Sequence, residues 1–348
     1  MNRFIKRAVS GLLVMAMFIM FFNVSDQTCY AANKNKTITI KCIGDSVTEG
    51  IKMEDARTAV LGGSTYPSVL YTLLTNNGYD VVVNNEGHGG ETTASIVARL
   101  GGVNLLLGQD LFFDSNNCAG PIDNRIIAGF GPNLLVPITF PYYFSTVNPL
   151  IINGKQYVAK TDFSSEQTYL YKTGNDDTVK ISAGSSVKLS GNNKSDITII
   201  FAGINDKKGV TLDAYVAMLK NGVAASGKKY IIVGPHSTIY EKEGFVVGNT
   251  TEERRENYRK RMIAEFGNHY IDLNTEWFER ALPIAQDNGF LTGYSSEQIN
   301  AIQSKLSNRI IPAEFTYNNQ DYNVHLNRAG YTVVAHIIFE RLKTLKYL

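Results

Sequence analysis

Short β-branched or fully apolar segments recur along the chain, and most are followed by a stretch with apolar residues at helical spacing. Strands covered on both faces of a parallel sheet are near-continuous apolar runs, and strands that alternate with helices are typical of a doubly wound sheet. The segments that we predict to be strands are Thr37–Ile43, Asp80–Asn85, Asp196–Ala202, Lys229–Gly234 and His269–Leu273. The sequence therefore predicts an α/β fold with a five-stranded, mainly parallel sheet.

The alternation of strands and helices is interrupted over residues 101–195. This stretch has little helical periodicity and is rich in Asn, Gly, Ser, Pro, Tyr and Phe. Short alternating pieces such as Gln156–Lys160 are separated by turn residues such as Asn153-Gly154, a pattern typical of hairpins. We predict a β-rich insertion subdomain here, placed within an α/β domain made of residues 32–100 and 196–348.

The first residues have the pattern of a secretory signal peptide. A basic start precedes an apolar run from Gly11 to Val24, which is long enough for a signal core and short for a membrane span. The small residues around Tyr30 favour cleavage after Ala31, with Ala32 as the second choice. We therefore predict a signal peptide at 1–31 and a secreted or cell-surface protein without a membrane span; a retained N-terminal anchor is the alternative.

Charge and cysteine content exclude some classes of protein. Removing the predicted signal takes away three of the 34 basic and one of the 32 acidic residues, so the remaining chain is formally neutral. A neutral chain lacks the basic surface of a nucleic-acid groove, and we predict no nucleic-acid partner. The remaining cysteines, Cys42 and Cys118, are too few for a disulfide framework, and both a single bridge and two free thiols stay open.

The loop after the first predicted strand contains Gly44-Asp45-Ser46. A serine at such a strand-to-helix turn lies at the carboxyl end of the sheet, where open α/β sheets bind their ligands. Backbone amides of the turn can face a developing oxyanion. Ser46 is therefore the candidate nucleophile, and His325, just before the last predicted helix, is the candidate base that takes its proton.

Two further loops offer hydrogen-bond donors. Gly90, after the second strand, provides a backbone amide with no side chain to obstruct the substrate. Asn205, after the third strand, provides a neutral side-chain amide that donates without titrating. Together with the Ser46 amide they form a candidate oxyanion hole. The neighbouring Gly87 and Gly89 are expected to shape the turn.

The four loops in this order resemble the SGNH (GDSL-type) hydrolase family. The matching blocks are Gly44-Asp45-Ser46, Asn85–Gly90, Gly203–Asp206 and Val324–Tyr331. The resemblance implies an esterase with a flavodoxin-like three-layer α/β/α fold. Carried over residue by residue, it makes Ser46 the nucleophile, His325 the base, and Ser46, Gly90 and Asn205 the oxyanion donors.

The acid of the catalytic triad departs from the family pattern. The family usually has an acid three residues before the histidine, where this chain has Tyr322. Asp321 stands four residues before His325, and a one-residue bulge would bring its carboxylate to the other ring nitrogen. We predict Asp321 as the triad acid, with a Ser–His dyad oriented by a backbone carbonyl as the alternative. Asp272, at the end of its own strand, is predicted to be structural.

The remaining histidines and aromatic residues have simpler interpretations. The five histidines are scattered without ligand spacing, so we predict no metal site and no cofactor. His88 and His236 follow strands and are expected to be solvated or hydrogen-bonded loop residues. The aromatic run Phe140–Phe144 is expected to pack the insertion, ahead of a role in sugar stacking. The insertion itself is placed to wall one side of the Ser46 cleft.

The sequence predicts an exported esterase that removes small acyl groups, acetyl first among them, from a carbohydrate or cell-wall glycan. The reaction would pass through an acyl-enzyme on Ser46. A lipase, lysophospholipase or thioesterase of the same family is one alternative. A glycan-binding surface protein without catalysis is another, because folds do not determine functions.

Overall fold

A computed structural model describes residues 36–131, 133–138, 140, 144–190, 194–206, 210–236 and 244–348. The predicted signal peptide at 1–31 lies outside the described residues, as do Pro141, Tyr142 and Tyr143 of the aromatic run. Residues Ile38–Leu348 form one compact unit. Over the described ranges, no helix combines the length and the apolar character needed to cross a membrane.

Fifteen strands are present in the described part of the chain. In chain order they are β1 (Ile38–Gly44), β2 (Val81–Gly87), β3 (Asn104–Leu107), β4 (Leu111–Phe112), β5 (Cys118–Ala119), β6 (Ile126–Gly129), β7 (Leu135–Ile138), β8 (Leu150–Ile152), β9 (Lys155–Asp162), β10 (Gln167–Lys172), β11 (Lys180–Ile181), β12 (Ser186–Lys188), β13 (Ile197–Phe201), β14 (Tyr230–Val233) and β15 (Tyr270–Ile271).

The helices complete the list of elements. The α-helices are α1 (Ser46–Glu49), α2 (Tyr66–Asn76), α3 (Thr93–Leu100), α4 (Leu212–Ser226), α5 (Thr251–Phe266), α6 (Leu273–Asp287), α7 (Ser296–Ser307) and α8 (Arg328–Thr344). Short 3₁₀ helices span Phe144–Val147, Gly267–His269 and Ala313–Phe315.

The five predicted strands form one parallel sheet, in the order β2-β1-β13-β14-β15. The prediction of a five-stranded parallel sheet is therefore confirmed. Gly44 at the end of β1 lies opposite Gly87 of β2 and Phe201 of β13. These three strands end at the same level, so the loops that follow them leave from one edge of the sheet.

Side chains of the sheet alternate between two apolar clusters, as the period of a strand requires. Ile40 and Cys42 of β1 belong to one cluster, together with residues of α2, α6, α7 and α8. Ile43 belongs to the other, together with residues of α3, α4 and α5. Helices thus cover both faces, which explains why every residue of β13 is buried.

The stretch predicted as a β-rich insertion contains an eight-stranded antiparallel sheet and a β4–β11 pair. Its strand order is β5-β10-β9-β8-β12-β3-β6-β7. Phe140, from the aromatic run, is fully buried in the same apolar cluster as Ile43. Cys42 and Cys118 are both free thiols, the first buried and the second partly exposed.

Candidate active site

Ser46 is the first residue of α1, immediately after β1. The Asp45 side chain caps this short helix, because its Oδ1 accepts a hydrogen bond from the Val47 amide at 2.9 Å. Ser46 is 6% exposed. Gly44 leaves no room for a side chain: a Cβ there would lie 2.2 Å from Thr48 Oγ1 and 2.6 Å from the Phe201 carbonyl oxygen. The turn therefore holds the Ser46 hydroxyl at the carboxyl edge of the sheet.

His325 lies next to Ser46, although the two are 279 positions apart in sequence; its Nε2 is 3.0 Å from Ser46 Oγ. Both backbone polar groups of His325 are hydrogen-bonded. The His325 amide donates to Asn323 Oδ1 at 2.9 Å, and its carbonyl oxygen accepts from the Tyr317 amide at 3.0 Å. Two residues later, Asn327 caps α8. The pair has the separation expected of a nucleophile and its base.

The environment of His325 favours a neutral imidazole. Burial lowers the pKa of its ring, the negative charge of Glu49 opposes this by favouring the imidazolium, and Lys52 adds to the lowering. An imidazole with a lowered pKa is unprotonated at neutral pH and can accept a proton from serine. Because Nε2 must then be the acceptor from Ser46, the ring proton is on Nδ1.

Glu49 is a buried carboxylate on α1, three residues after Ser46. Its Oε1 accepts from Arg57 Nε at 2.7 Å, and its Oε2 accepts from the Gly89 amide at 2.7 Å. The side chain of Arg57 is 60% exposed, whereas that of Glu49 is 2% exposed. The charge of Glu49 is thus held inside the site and also orders the glycine turn after β2.

The predicted oxyanion donors have free hydrogen-bonding capacity. Within the described residues, neither the Ser46 amide nor the Gly90 amide has a hydrogen-bond acceptor. Gly90 has φ +79°, a left-handed conformation that glycine adopts without strain. Asn205 Nδ2 donates one hydrogen to the Glu91 carbonyl oxygen at 3.0 Å, which orients the amide and leaves its second hydrogen available.

Buried polar residues connect these donor loops. Asp206 accepts from the amide and the hydroxyl of Thr93 at 2.9 and 2.7 Å, which ties the loop after β13 to the start of α3. Arg99 donates through Nε and Nη2 to the carboxylate of Glu91 over 2.6–3.0 Å. Arg99 Nη2 also donates to the Glu86 carbonyl oxygen at 2.8 Å. These contacts hold Gly90 and Asn205 in place.

The structure does not bring Asp321 to His325. Asp321 Oδ1 instead accepts from Lys305 Nζ at 3.0 Å and from the Ala313 amide at 2.7 Å. The intervening Tyr322 has φ +65°, and this left-handed residue turns the chain in place of the expected bulge. Nδ1 of His325 has no hydrogen-bond partner in the described ranges. The assignment of Asp321 as triad acid is therefore corrected: of the three predicted catalytic residues, the structure brings Ser46 and His325 together.

The two other loop histidines are buried rather than solvated. His88 Nδ1 lies 3.4 Å from Glu91 Oε1, and the His88 amide donates to the Gly44 carbonyl oxygen at 2.9 Å. His236 Nε2 lies 3.0 Å from the Val324 carbonyl oxygen, next to His325. Burial lowers the pKa of His236 to about 4, so the neutral ring donates to this carbonyl. Asp272 lies between β15 and α6 as the residue that precedes the helix, and its side chain makes no capping hydrogen bond.

Sequence reasoning missed several residues of the site. Glu49, Asp206 and Glu91 each stand within or beside a recognised block, but nothing local shows that their carboxylates are buried. For His236, the sequence predicts only a loop histidine after a strand. The available signal was position, because each of these residues follows a predicted strand at the carboxyl edge of the sheet.

Comparisons with known proteins add a distant likeness only. No family model matches the chain, and no curated protein matches its sequence. The crystal structure of LAE5, an alpha/beta hydrolase enzyme from the metagenome of Lake Arreo, Spain, aligns over 88% of this chain and 96% of its own, with 15% identity and a TM-score of 0.39. The crystal structure of a carbohydrate acetylesterase family member from Sinorhizobium meliloti aligns over 90% of this chain and 100% of its own, with 14% identity and a TM-score of 0.35. At these scores, the argument for function rests on the site itself.

Proposed function

We propose that this protein is a serine esterase of SGNH type that works through an acyl-enzyme on Ser46. The observation that carries the proposal is the 3.0 Å contact between Ser46 Oγ and His325 Nε2, beside amides without acceptors. Counted in chain order, the strands of the sheet run 2-1-3-4-5, which is the order of flavodoxin-like folds. That order supports a flavodoxin-like three-layer arrangement.

The proposed reaction has two halves. Ser46 Oγ attacks the ester carbonyl carbon while His325 Nε2 takes the hydroxyl proton, and the carbonyl oxygen becomes an oxyanion facing the amides of Ser46, Gly90 and Asn205. His325 then gives the proton to the departing alcohol, which leaves an acyl ester on Ser46. Water, deprotonated by His325, attacks this ester; the bond between the acyl carbon and Ser46 Oγ breaks, the acid is released, and His325 returns the proton to Ser46 Oγ.

The imidazolium formed in each half lacks a carboxylate partner on Nδ1. Its charge is offset by Glu49, whose buried carboxylate favours the charged ring. Electrostatic support of this kind needs no direct hydrogen bond, because a low-dielectric site strengthens interactions between charges. A dyad assisted by Glu49 is therefore the arrangement that we propose.

For the substrate, we propose small acyl groups, acetyl first, on a carbohydrate or cell-wall glycan. The signal-like first residues support an exported enzyme and therefore an extracellular substrate. A long-chain lipase or thioesterase is the alternative within the same chemistry.

The test is hydrolysis of 4-nitrophenyl acetate by the purified protein, compared with Ser46→Ala and His325→Ala. Loss of a nucleophile or base should lower kcat by about 10⁴-fold or more. Hydrolysis rates on 4-nitrophenyl esters from acetyl to palmitoyl then show the preferred acyl length. Rates on acetylated xylan, mannan and peptidoglycan show the preferred alcohol part of the substrate. Absence of hydrolysis by the wild type, or equal rates in the variants, would refute the esterase.

A further inference from the structure

The loop that precedes His325 has an unusual composition. We call residues 317–323 the tyrosine–amide loop, since six of its seven members are tyrosines or side-chain amides: Tyr317, Asn318, Asn319, Gln320, Tyr322 and Asn323. Tyr317 is 44% exposed and Tyr322 is 68% exposed. Large aromatic side chains on a surface mark binding sites when they cluster, because their apolar area is otherwise buried.

The tyrosine–amide loop is joined directly to the catalytic base. At one end, the Tyr317 amide donates to the carbonyl oxygen of His325 at 3.0 Å. At the other end, Asn323 Oδ1 accepts from the His325 amide at 2.9 Å. Both ends of the loop are therefore in contact with the backbone of His325, which places the loop beside the Ser46–His325 pair.

Internal hydrogen bonds fix the shape of the loop. Asn323 Nδ2 donates to Asn318 Oδ1 at 2.6 Å, and Asn318 Nδ2 donates to Gln320 Oε1 at 2.7 Å. The Tyr322 amide donates to the Ile311 carbonyl oxygen at 3.0 Å, with φ +65°. This left-handed conformation is uncommon for an aromatic residue, and such strain clusters at functional sites. A preformed surface loses little entropy on binding.

The chemistry of the loop selects the kind of ligand. Its one charged residue, Asp321, is occupied by Lys305 and by the Ala313 amide. What remains for a ligand is two aromatic rings and neutral amides, which suit a polar, uncharged molecule with an apolar face. A sugar ring has both features, whereas an acyl chain would leave the amides unpaired and an anion would find no cation among the residues of the loop itself.

We propose that the tyrosine–amide loop binds a neutral sugar ring on the alcohol side of the scissile ester, with Tyr317 and Tyr322 as its stacking surfaces. The inference rests on the proposed esterase function and adds the part of the substrate that the loop recognises. Tyr317 and Tyr322 are specificity residues and take no part in proton transfer.

The experiment compares Tyr322→Ala and Tyr317→Ala with the wild type on two esters. One is the acetylated glycan hydrolysed fastest, and the other is ethyl acetate, which has no ring to stack. We expect kcat/KM on the glycan to fall about 3- to 10-fold, through KM, with ethyl acetate changed less than about twofold. Tyr322→Phe keeps the ring and should retain wild-type values. Tyr294→Ala, at a 38% exposed tyrosine outside the loop, is the matched control.

A binding measurement separates this inference from the proposed function. Titration of Ser46→Ala with the deacetylated oligosaccharide should give a Kd that rises about 3- to 10-fold when Tyr322→Ala is added. Three outcomes would each overturn the inference. The first is an equal loss of activity on both esters in the alanine variants, and the second is unchanged kinetics and binding in those variants. The third is a wild type that hydrolyses ethyl acetate but no glycan. A wild type that hydrolyses no ester yet binds the oligosaccharide through Tyr322 would refute only the esterase.

Discussion

At the scale of single residues, the site is distinguished by what lies on each nitrogen of His325. Nε2 contacts Ser46 Oγ, while Nδ1 has no partner in the part of the chain that the structure describes. In the proposed reaction, the positive charge that develops on the ring is therefore stabilised through space rather than through a hydrogen bond. The negative charge of Glu49 favours the charged ring, and the positive charge of Lys52 disfavours it.

The first residue-scale prediction concerns Asp321→Asn. The asparagine oxygen still accepts from the Ala313 amide, so the loop should keep its shape. Because Asp321 does not contact His325, kcat on 4-nitrophenyl acetate should change less than about threefold, whereas loss of a true triad acid costs about 10⁴-fold. A loss of more than about 100-fold with unchanged thermal stability would restore Asp321 as the acid.

The second concerns Glu49→Gln and the pH dependence of kcat/KM. Activity should rise with pH as His325 loses its proton, and because burial lowers the pKa of His325, this rise should lie below the ordinary histidine value of about 6.5. Without the charge of Glu49, the imidazolium form of His325 is less favoured, so its pKa should fall. The rise of kcat/KM with pH should therefore move to lower pH, and kcat should fall.

A matched control for this shift is Glu54→Gln, which removes an exposed carboxylate from the loop after α1. Its pH profile should coincide with that of the wild type. A profile of Glu49→Gln that moves to higher pH, or that does not move, would contradict the electrostatic role.

At the scale of elements, the site depends on how closely α1 packs on the ends of β1 and β2. Gly44 and Gly87 lie opposite each other where these strands end. Both positions exclude a side chain, Gly44 because of Thr48 and Phe201, and Gly87 because of the backbone of α1. Ser46 is therefore positioned by backbone contact between a helix and two strand ends.

Gly87→Ala tests this packing. The new Cβ would lie 1.9 Å from the Glu49 nitrogen and 2.4 Å from the Thr48 carbonyl carbon, so α1 must move. We expect a loss of about 1–3 kcal/mol in the free energy of unfolding and a large fall in kcat, measured by thermal denaturation and ester hydrolysis. Gly129→Ala, whose Cβ would meet its nearest atom at 3.7 Å, should change neither. A fully stable and active Gly87→Ala would contradict the packing argument.

At the scale of the whole molecule, one apolar cluster joins the sheet to the insertion. It contains Ile43, Ile200 and Ile232 of the sheet together with Leu105, Ile126 and Ile138 of the antiparallel strands. Trp277 lies in the other cluster, against α8. The insertion is thus packed by the same burial that stabilises one face of the sheet. Its composition predicted strands, but not this shared packing.

Local pattern determined much of this protein. Continuous apolar runs predicted the five parallel strands, because a strand buried on both faces can tolerate few polar residues. The order of the four loops predicted which residues stand at the carboxyl edge, since successive strands of a doubly wound sheet present their loops there. That was enough to propose Ser46, Gly90, Asn205 and His325 from the sequence.

Tertiary structure decided which charged groups surround the base. Asp321 and His325 are close in sequence, yet the left-handed Tyr322 directs the carboxylate to Lys305. Glu49 lies far from His325 in sequence, yet burial keeps its charge within reach of the ring. The hydrophobic periodicity of the sequence indicates which residues are buried and whether a segment is a strand or a helix. The partner of a buried charge depends instead on loop conformation and long-range packing. That physical difference explains why the sequence could place Ser46 at the edge of the sheet but could not show which carboxylate lies near His325.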